Sequence, residues 1–227
     1  MSETATGNRI SIDVYSDVVC PWCFIGLKRL EQATALLSGE VELDIRWRPF
    51  QLDPTIPEEG VDNTAYLTRK FGSLEAFKAG RDRVAEEGRK EGIAFNFPVI
   101  EMSPNTLKAH CLTDWAEQFG AAGALVPALF SAYFEQGRDV GDEAVLAEIA
   151  GEAGLDDEAA HAFLEGKSNR DTVANAVARA SQMGVTSVPC FVIEGRYAVL
   201  GAQPAEGLAN AFRQIAEAKA NGTLPQG

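Results

Sequence analysis

Val14-Tyr-Ser-Asp-Val-Val-Cys-Pro-Trp-Cys23 joins a strand to a helix, and the rest of the chain can be read outward from it. Upstream, Ile10, Ile12 and Val14 alternate with polar neighbours, the period-2 pattern of a strand. Downstream, Cys23, Leu27, Leu30 and Leu37 share one face of a helix expected from about Pro21 to Ser38, with Gly39 as its stop. Cys20 therefore falls near the helix N-cap, where unpaired backbone N–H groups and the positive end of the helix dipole favour a thiolate. Pro21 takes the first helical position, where its missing N–H costs nothing. Cys23, one turn on and on the buried face, is close enough to attack a mixed disulfide formed on Cys20. Such a pair can cycle between dithiol and disulfide. Zinc would need two further ligands at local spacing, and the chain has no second Cys-x-x-Cys and no Cys-x-x-His. Redox chemistry is the preferred reading, with a non-enzymatic metal-binding or chaperone module as an alternative.

Working outward, Val41, Leu43, Ile45 and Trp47 alternate with Glu42, Asp44, Arg46 and Arg48, a second strand with one face expected to be buried. Three prolines between Pro49 and Pro57 end it, so the first fifty or so residues are β-α-β. From 58 to 167 the texture turns to helical spacing, punctuated by Gly72, Gly92, Gly141 and Gly154. Expected helix starts lie at Ser73, at Ser103-Pro104, at Asp142 and at Asp156. After Asn169 come a helix, the run Val185-Thr-Ser-Val-Pro-Cys-Phe-Val-Ile193, a turn at Glu194-Gly195, a strand at 196–200 and a helix opened by Pro204. The tail from Asn221 is expected to fray. The expected fold is α/β: a small mixed sheet built by residues 1–57 and 168–227, with an all-helical insertion at 58–167.

Composition restricts the functions open to such a fold. Of 227 residues, 46% are hydrophobic and 23% charged, which is ordinary for a globular chain. Acidic residues outnumber basic ones for a net charge of −13, which repels phosphate backbones and anionic lipid, so neither nucleic acid nor a membrane is expected as partner. Four cysteines are too few for a disulfide framework. The N-terminal residues show neither a basic nor an apolar leader region, and the expected compartment is the cytoplasm.

The Cys-Pro-Trp-Cys junction resembles the thioredoxin superfamily, and within it the DsbA-like branch. The resemblance implies a thioredoxin fold interrupted by helices, as read above. It extends to Thr186-Ser-Val-Pro189, where the family carries a cis-proline facing the cysteine pair, so Val188 and Pro189 are implied to present substrate. Trp47-Arg-Pro-Phe-Gln-Leu-Asp-Pro54, Asn105-Thr-Leu-Lys-Ala-His110, Tyr133-Phe-Glu-Gln-Gly-Arg-Asp139 and Gly195-Arg-Tyr-Ala-Val-Leu-Gly-Ala-Gln203 are similar to the FrnE-type group. That group is related to 2-hydroxychromene-2-carboxylate isomerase and kappa-class glutathione transferase. Those relatives generally carry serine where Cys20 stands, and an Asp after the last strand that grips glutathione, where this chain has Gln203. Both departures favour thiol–disulfide exchange over glutathione-dependent isomerisation or transfer, which stays the alternative enzyme reading. DsbA places histidine where this chain has Trp22, and indole cannot carry positive charge. A weaker oxidant than DsbA is therefore expected.

The candidate site comprises Cys20 and Cys23 as catalytic thiols, with Pro189, Val188, Trp22 and Pro21 contacting substrate. No external cofactor is required, and glutathione is a candidate redox partner or co-substrate. The helical block is expected to roof the site and form an apolar groove suited to either a protein segment or a flat aromatic metabolite, so the expected partner is a protein or small-molecule disulfide or thiol. Cys111 reads as a core filler, Cys190 as a packed strand residue, His110 as a satisfied core or surface histidine and His161 as a solvated helix position.

Overall fold

In the computed structural model, residues 8–224 are described. The expectation about a leader thus falls mostly on residues outside the described range, as do the last three of the expected frayed tail. The fold is α/β: a mixed sheet with a largely helical insertion.

Strand β1 (Arg9–Ser16) leads to helix α1 (Pro21–Leu36) and strand β2 (Glu42–Pro49). Near the other end, β5 (Cys190–Ile193) and β6 (Tyr197–Leu200) are followed by α9 (Ala205–Ala220). The sheet runs β2-β1-β5-β6. β1 pairs in parallel with β2, setting Ile12 against Ile45, and antiparallel with β5, setting Ile12 against Ile193. Ile10, Ile12 and Val14 are at most 2% exposed because β1 is central. The apolar residues of β2 are only half-buried, contrary to the buried face expected from their alternation, because β2 is an edge strand. One of its edge amides is met by a side chain instead of a strand: Trp47 N–H donates to Glu117 Oε1 at 2.6 Å.

Between β2 and β5 lie a two-residue strand β3 (Val61–Asp62), α2 (Asn63–Phe71), α3 (Leu74–Lys90), a 3₁₀ turn (Phe97–Val99) and β4 (Met102–Ser103). Then follow α4 (Leu107–Glu117), α5 (Ala122–Phe134), α6 (Glu143–Glu152), α7 (Asp157–Gly166) and α8 (Arg170–Gln182). Asp142 and Asp156 cap α6 and α7, accepting from Val145 N–H and Ala159 N–H. Ser103 is not the expected cap. It lies in β4 and donates its hydroxyl to Asn63, and α4 begins four residues later. Pro127 sits inside α5.

Helix α1 belongs to two cores. Leu30, Ala33 and Leu37 pack with the sheet and with Leu208 and Phe212 of α9. Cys23, Phe24, Ile25 and Leu27 face the other way, into a core shared with α4, α5 and α6. There Phe24 stacks on Phe130 at 5.2 Å and meets Phe95 edge-on at 5.9 Å. Apolar burial on both sides fixes the position of the helix that carries the cysteines.

A charged knot ties the inserted helices to α8. Glu58 accepts from Arg170 at 2.6 Å and lies 3.3 Å from Lys108, which also reaches Glu143 at 2.9 Å. The Arg170 hydrogen bond, helped by Lys108, holds the Glu58 carboxyl at about 2 against an ordinary 4.5. A carboxyl depressed by folding stabilises the fold fully above its unfolded value, and that contribution drains away as pH falls from about 4.5 towards 2. Its size is modest, because the Glu58 side chain is 45% exposed. Glu58→Gln should lower the Tm at pH 7 slightly and flatten the acid decline in that window. An acid limb identical to wild type would contradict this account.

Candidate active site

Cys20 is the N-cap of α1, in extended backbone geometry. Its N–H donates to Asp17 O at 2.9 Å, and its carbonyl accepts from Cys23 N at 2.9 Å and Phe24 N at 3.3 Å. This hydrogen-bonded turn sets the two cysteines one helical turn apart. All four cysteines are free thiols. The Cys20 thiol points at Val188 O, 3.8 Å away. The Val188–Pro189 peptide is cis.

The two thiols differ in environment. Cys20 is 5% exposed and lines a cavity, whereas Cys23 is 2% exposed and faces the aromatic core. Burial pushes the Cys23 thiol well up, and contact with Cys20 adds to the shift. The Asp17 backbone N–H and the Ser16 hydroxyl oppose it. Cys20 is thus the thiol an outside sulfur can reach.

Two contacts fix the Pro189 loop against this pair. Gly26 of α1 presents no side chain, and a Cβ there would lie 2.8 Å from Pro189 Cγ. Pro189 O accepts from Gly201 N at 2.8 Å. Arg29, one turn further along α1, donates to Glu87 of α3 at 3.0 Å, to Glu91 just past the end of α3 at 2.6 Å and to the Ala202 carbonyl. The cysteine helix, the α3 roof and the loop after β6 are therefore tied through one guanidinium. Gln203 Nε2 donates to Leu200 O and does not line the cavity.

The cavity beside Cys20 has a volume of about 550 Å³. Its lining includes Pro21, Trp22, Thr186, Ser187 and Val188 together with residues of α2 and α3. Trp22 is half-buried, and Phe24 belongs wholly to the core.

Asp17 carries a feature that the sequence did not single out. It is 1% exposed, its Oδ2 accepts Leu52 N–H at 2.7 Å, and its Oδ1 has no hydrogen-bond partner. His110 Nε2 lies 3.5 Å from that oxygen and 2.9 Å from Phe50 O. Because a carbonyl only accepts, Nε2 carries a proton there. Polarity in a turn is common in any sequence, so nothing at position 17 marked it as buried. The remaining residues sit apart from the pair. Burial pushes Cys111 up to about 11 and also raises Cys190, whose strand packs with Tyr15 and Phe50. His161 is surface-exposed, 3.7 Å from Glu165. Among the described residues, no cluster of three or more His, Cys, Asp or Glu side chains is arranged to hold a metal ion. No described helix is long and apolar enough to cross a membrane.

A cysteine pair at the head of α1, set against a cis X–Pro loop on a β2-β1-β5-β6 sheet, defines a thioredoxin-type protein. The chain belongs to the DSBA-like thioredoxin domain family, whose model matches residues 11–213. It is similar to a probable DsbA oxidoreductase from Streptomyces coelicolor, at 32% identity and TM-score 0.82, covering 96% of this chain and 92% of that one. It also resembles the uncharacterized protein YwbO of Bacillus subtilis, 29% identical over 185 residues, which is 81% of this chain and 86% of that protein. The cytosolic disulfide reductase DsbM of Pseudomonas aeruginosa, solved with glutathione, shares the fold at TM-score 0.63 and 18% identity, covering 93% of this chain and 99% of that one.

Proposed function

We propose that the protein is a cytoplasmic thiol–disulfide oxidoreductase of the FrnE type. The observation that carries this reading is the asymmetric pair: Cys20 at a helix N-cap on a cavity wall, beside Val188 O, with Cys23 buried one turn behind it. Cys20 exchanges with the substrate sulfur and Cys23 resolves the mixed disulfide. Val188 and Pro189 present the substrate, and Trp22 and Pro21 contact it. Residues 1–57 and 168–227 act as the thioredoxin-like unit, and 58–167 as the helical roof. No bound cofactor is needed, and glutathione serves as a resetting partner. DsbM's complex with glutathione, in a chain of the same fold, supports that role. Dedicated glutathione-dependent isomerisation is disfavoured, because Cys20 stands where that chemistry uses serine and neutral Gln203 stands where it uses a carboxylate to grip the glutathione ammonium.

Catalysis of insulin-disulfide reduction by dithiothreitol tests the reading. The protein should accelerate it well above the uncatalysed rate, and no acceleration would sink the assignment. The potential follows from Trp22, which offers no cation to the thiolate. Equilibration with glutathione buffers should give a midpoint clearly more reducing than about −120 mV, the approximate value for DsbA. A midpoint at that value would overturn the argument.

A further inference from the structure

We infer that the Ser16 hydroxyl relays the Cys23 proton out of the active site, into a narrow cleft behind the cysteine pair. The inference rests on the thiol–disulfide reading of Cys20 and Cys23.

The need for a relay follows from burial. Cys23 is 2% exposed and, unlike Cys20, does not line the substrate cavity. A thiol must lose its proton to act as a nucleophile, and burial makes this one hold its proton more tightly. While a mixed disulfide sits on Cys20, the cavity side is taken by substrate. The proton therefore needs another exit.

A second space lies across the turn that joins β1 to α1. Asp17, Val19 and Cys20 line the substrate cavity, whereas Ser16 and Val18 line a separate cleft of about 90 Å³. No described residue lines both. The cleft starts at the surface with Asp114 and Thr172, which are exposed, and reaches Ser16, His110 and Thr113, each at most 7% exposed. Its volume matches about three waters at roughly 30 Å³ each, and its side chains offer them polar partners.

Ser16 belongs to both neighbourhoods. It ends β1 on the face of Ile10, Ile12 and Val14, which packs against α1, and its hydroxyl is a hydrogen-bond partner of the Cys23 thiol. The thiol's other polar neighbours are the Asp17 N–H and Cys20. The N–H can only donate, and Cys20 is engaged in the mixed disulfide. The Asp17 carboxylate is turned to Leu52 N–H and His110. A hydroxyl both accepts and donates, so Ser16 can take one hydrogen as it gives up another.

The step balances without a further reagent. As Cys23 Sγ attacks the Cys20 sulfur, its hydrogen passes to Ser16 Oγ, and the Ser16 hydroxyl hydrogen passes to water in the cleft. The Cys20–Cys23 bond forms, the bond from Cys20 to the substrate sulfur breaks, and the substrate leaves as RS⁻ with the electron pair. Serine is regenerated, and the proton leaves at the cleft mouth.

Dithiodipyridine separates the two attacks, because each releases one pyridinethione that absorbs in the near ultraviolet. In stopped-flow mixing with the reduced protein, the first phase is attack by Cys20 and the second is resolution by Cys23. Ser16→Val and Ser16→Thr add the same shape and differ only in the hydroxyl. Ser16→Val should slow the second phase about tenfold or more and leave the first within about twofold. Ser16→Thr should restore the second phase to within about threefold of wild type. Ala176→Leu, which fills the cleft from α8, should slow the second phase and not the first. Equal second phases in Ser16→Val and Ser16→Thr, or wild-type resolution in Ala176→Leu, would overturn the relay. A slow second phase in Asp17→Asn, with Ser16→Val normal, would assign the proton to that carboxylate and overturn it too. A wild-type protein that releases no thione would remove the redox reading itself.

Discussion

Cys20→Ser should abolish catalysed disulfide exchange, by a thousandfold or more (~10³), while Cys23→Ser should stop turnover but keep the first attack. The asymmetry follows from burial. Cys23 is 2% exposed in an aromatic core and its thiol is pushed well up, so it cannot take over as attacking group when Cys20 is gone. A serine hydroxyl at the N-cap is a far weaker nucleophile than a thiolate and cannot form a disulfide. With Cys23 replaced, the adduct on Cys20 has no resolving partner and should accumulate to one equivalent, visible as a mass increase after treatment with a mixed-disulfide donor. A Cys20→Ser protein retaining activity within tenfold of wild type would refute the assignment of roles.

The second large effect is expected from one methyl group. Gly26→Ala replaces a mid-helix glycine, a change that ordinarily favours a helix by up to about 1 kcal/mol. Here the added Cβ would lie 2.8 Å from Pro189 Cγ and 3.3 Å from Pro189 Cβ, closer than carbon atoms pack, and a proline ring cannot swing aside. Overpacking of that kind costs about 1–3 kcal/mol, so the clash outweighs the propensity gain. The loop that must yield is the one whose Val188 carbonyl faces Cys20. Gly26→Ala should therefore lower both Tm and exchange rate, although it touches neither sulfur. A raised Tm would show that the loop relaxes freely and that Pro189 is not held by α1. The comparison Gly207→Ala, on α9 where a Cβ meets nothing within 4 Å, should be neutral or stabilising.

The order of elements was legible because it rests on local signals. Alternation in Ile10, Ile12 and Val14, the cysteine turn and the Asp142 and Asp156 caps each depend only on neighbours in the chain. What went unread depends on partners. The residues of β2 alternate as cleanly as those of β1, but periodicity reports a face and not whether a strand is central or at an edge. Ser103-Pro104 has the composition of a helix start, yet Ser103 pairs through β4 with β3. Asp17 reads as an ordinary polar position in a turn. Only the fold buries it, to 1% exposure, beside His110. The cysteines were conspicuous because their chemistry lies in their spacing.

The double packing of α1 has a consequence for how the chain comes off the ribosome. β1 finds its parallel partner β2 early, but its other edge waits for Phe191 and Ile193, far downstream. In the interval the Phe24, Ile25 and Leu27 side of α1 can be covered by α4 to α6, which emerge before β5 does. Domains are commonly completed in order of synthesis. In this chain the intervening helices would be the first shelter for the cysteine-bearing helix, and the sheet would close last. A truncated product ending before residue 190 should therefore keep its aromatic core yet expose one raw edge of β1, a surface prone to pairing with another copy.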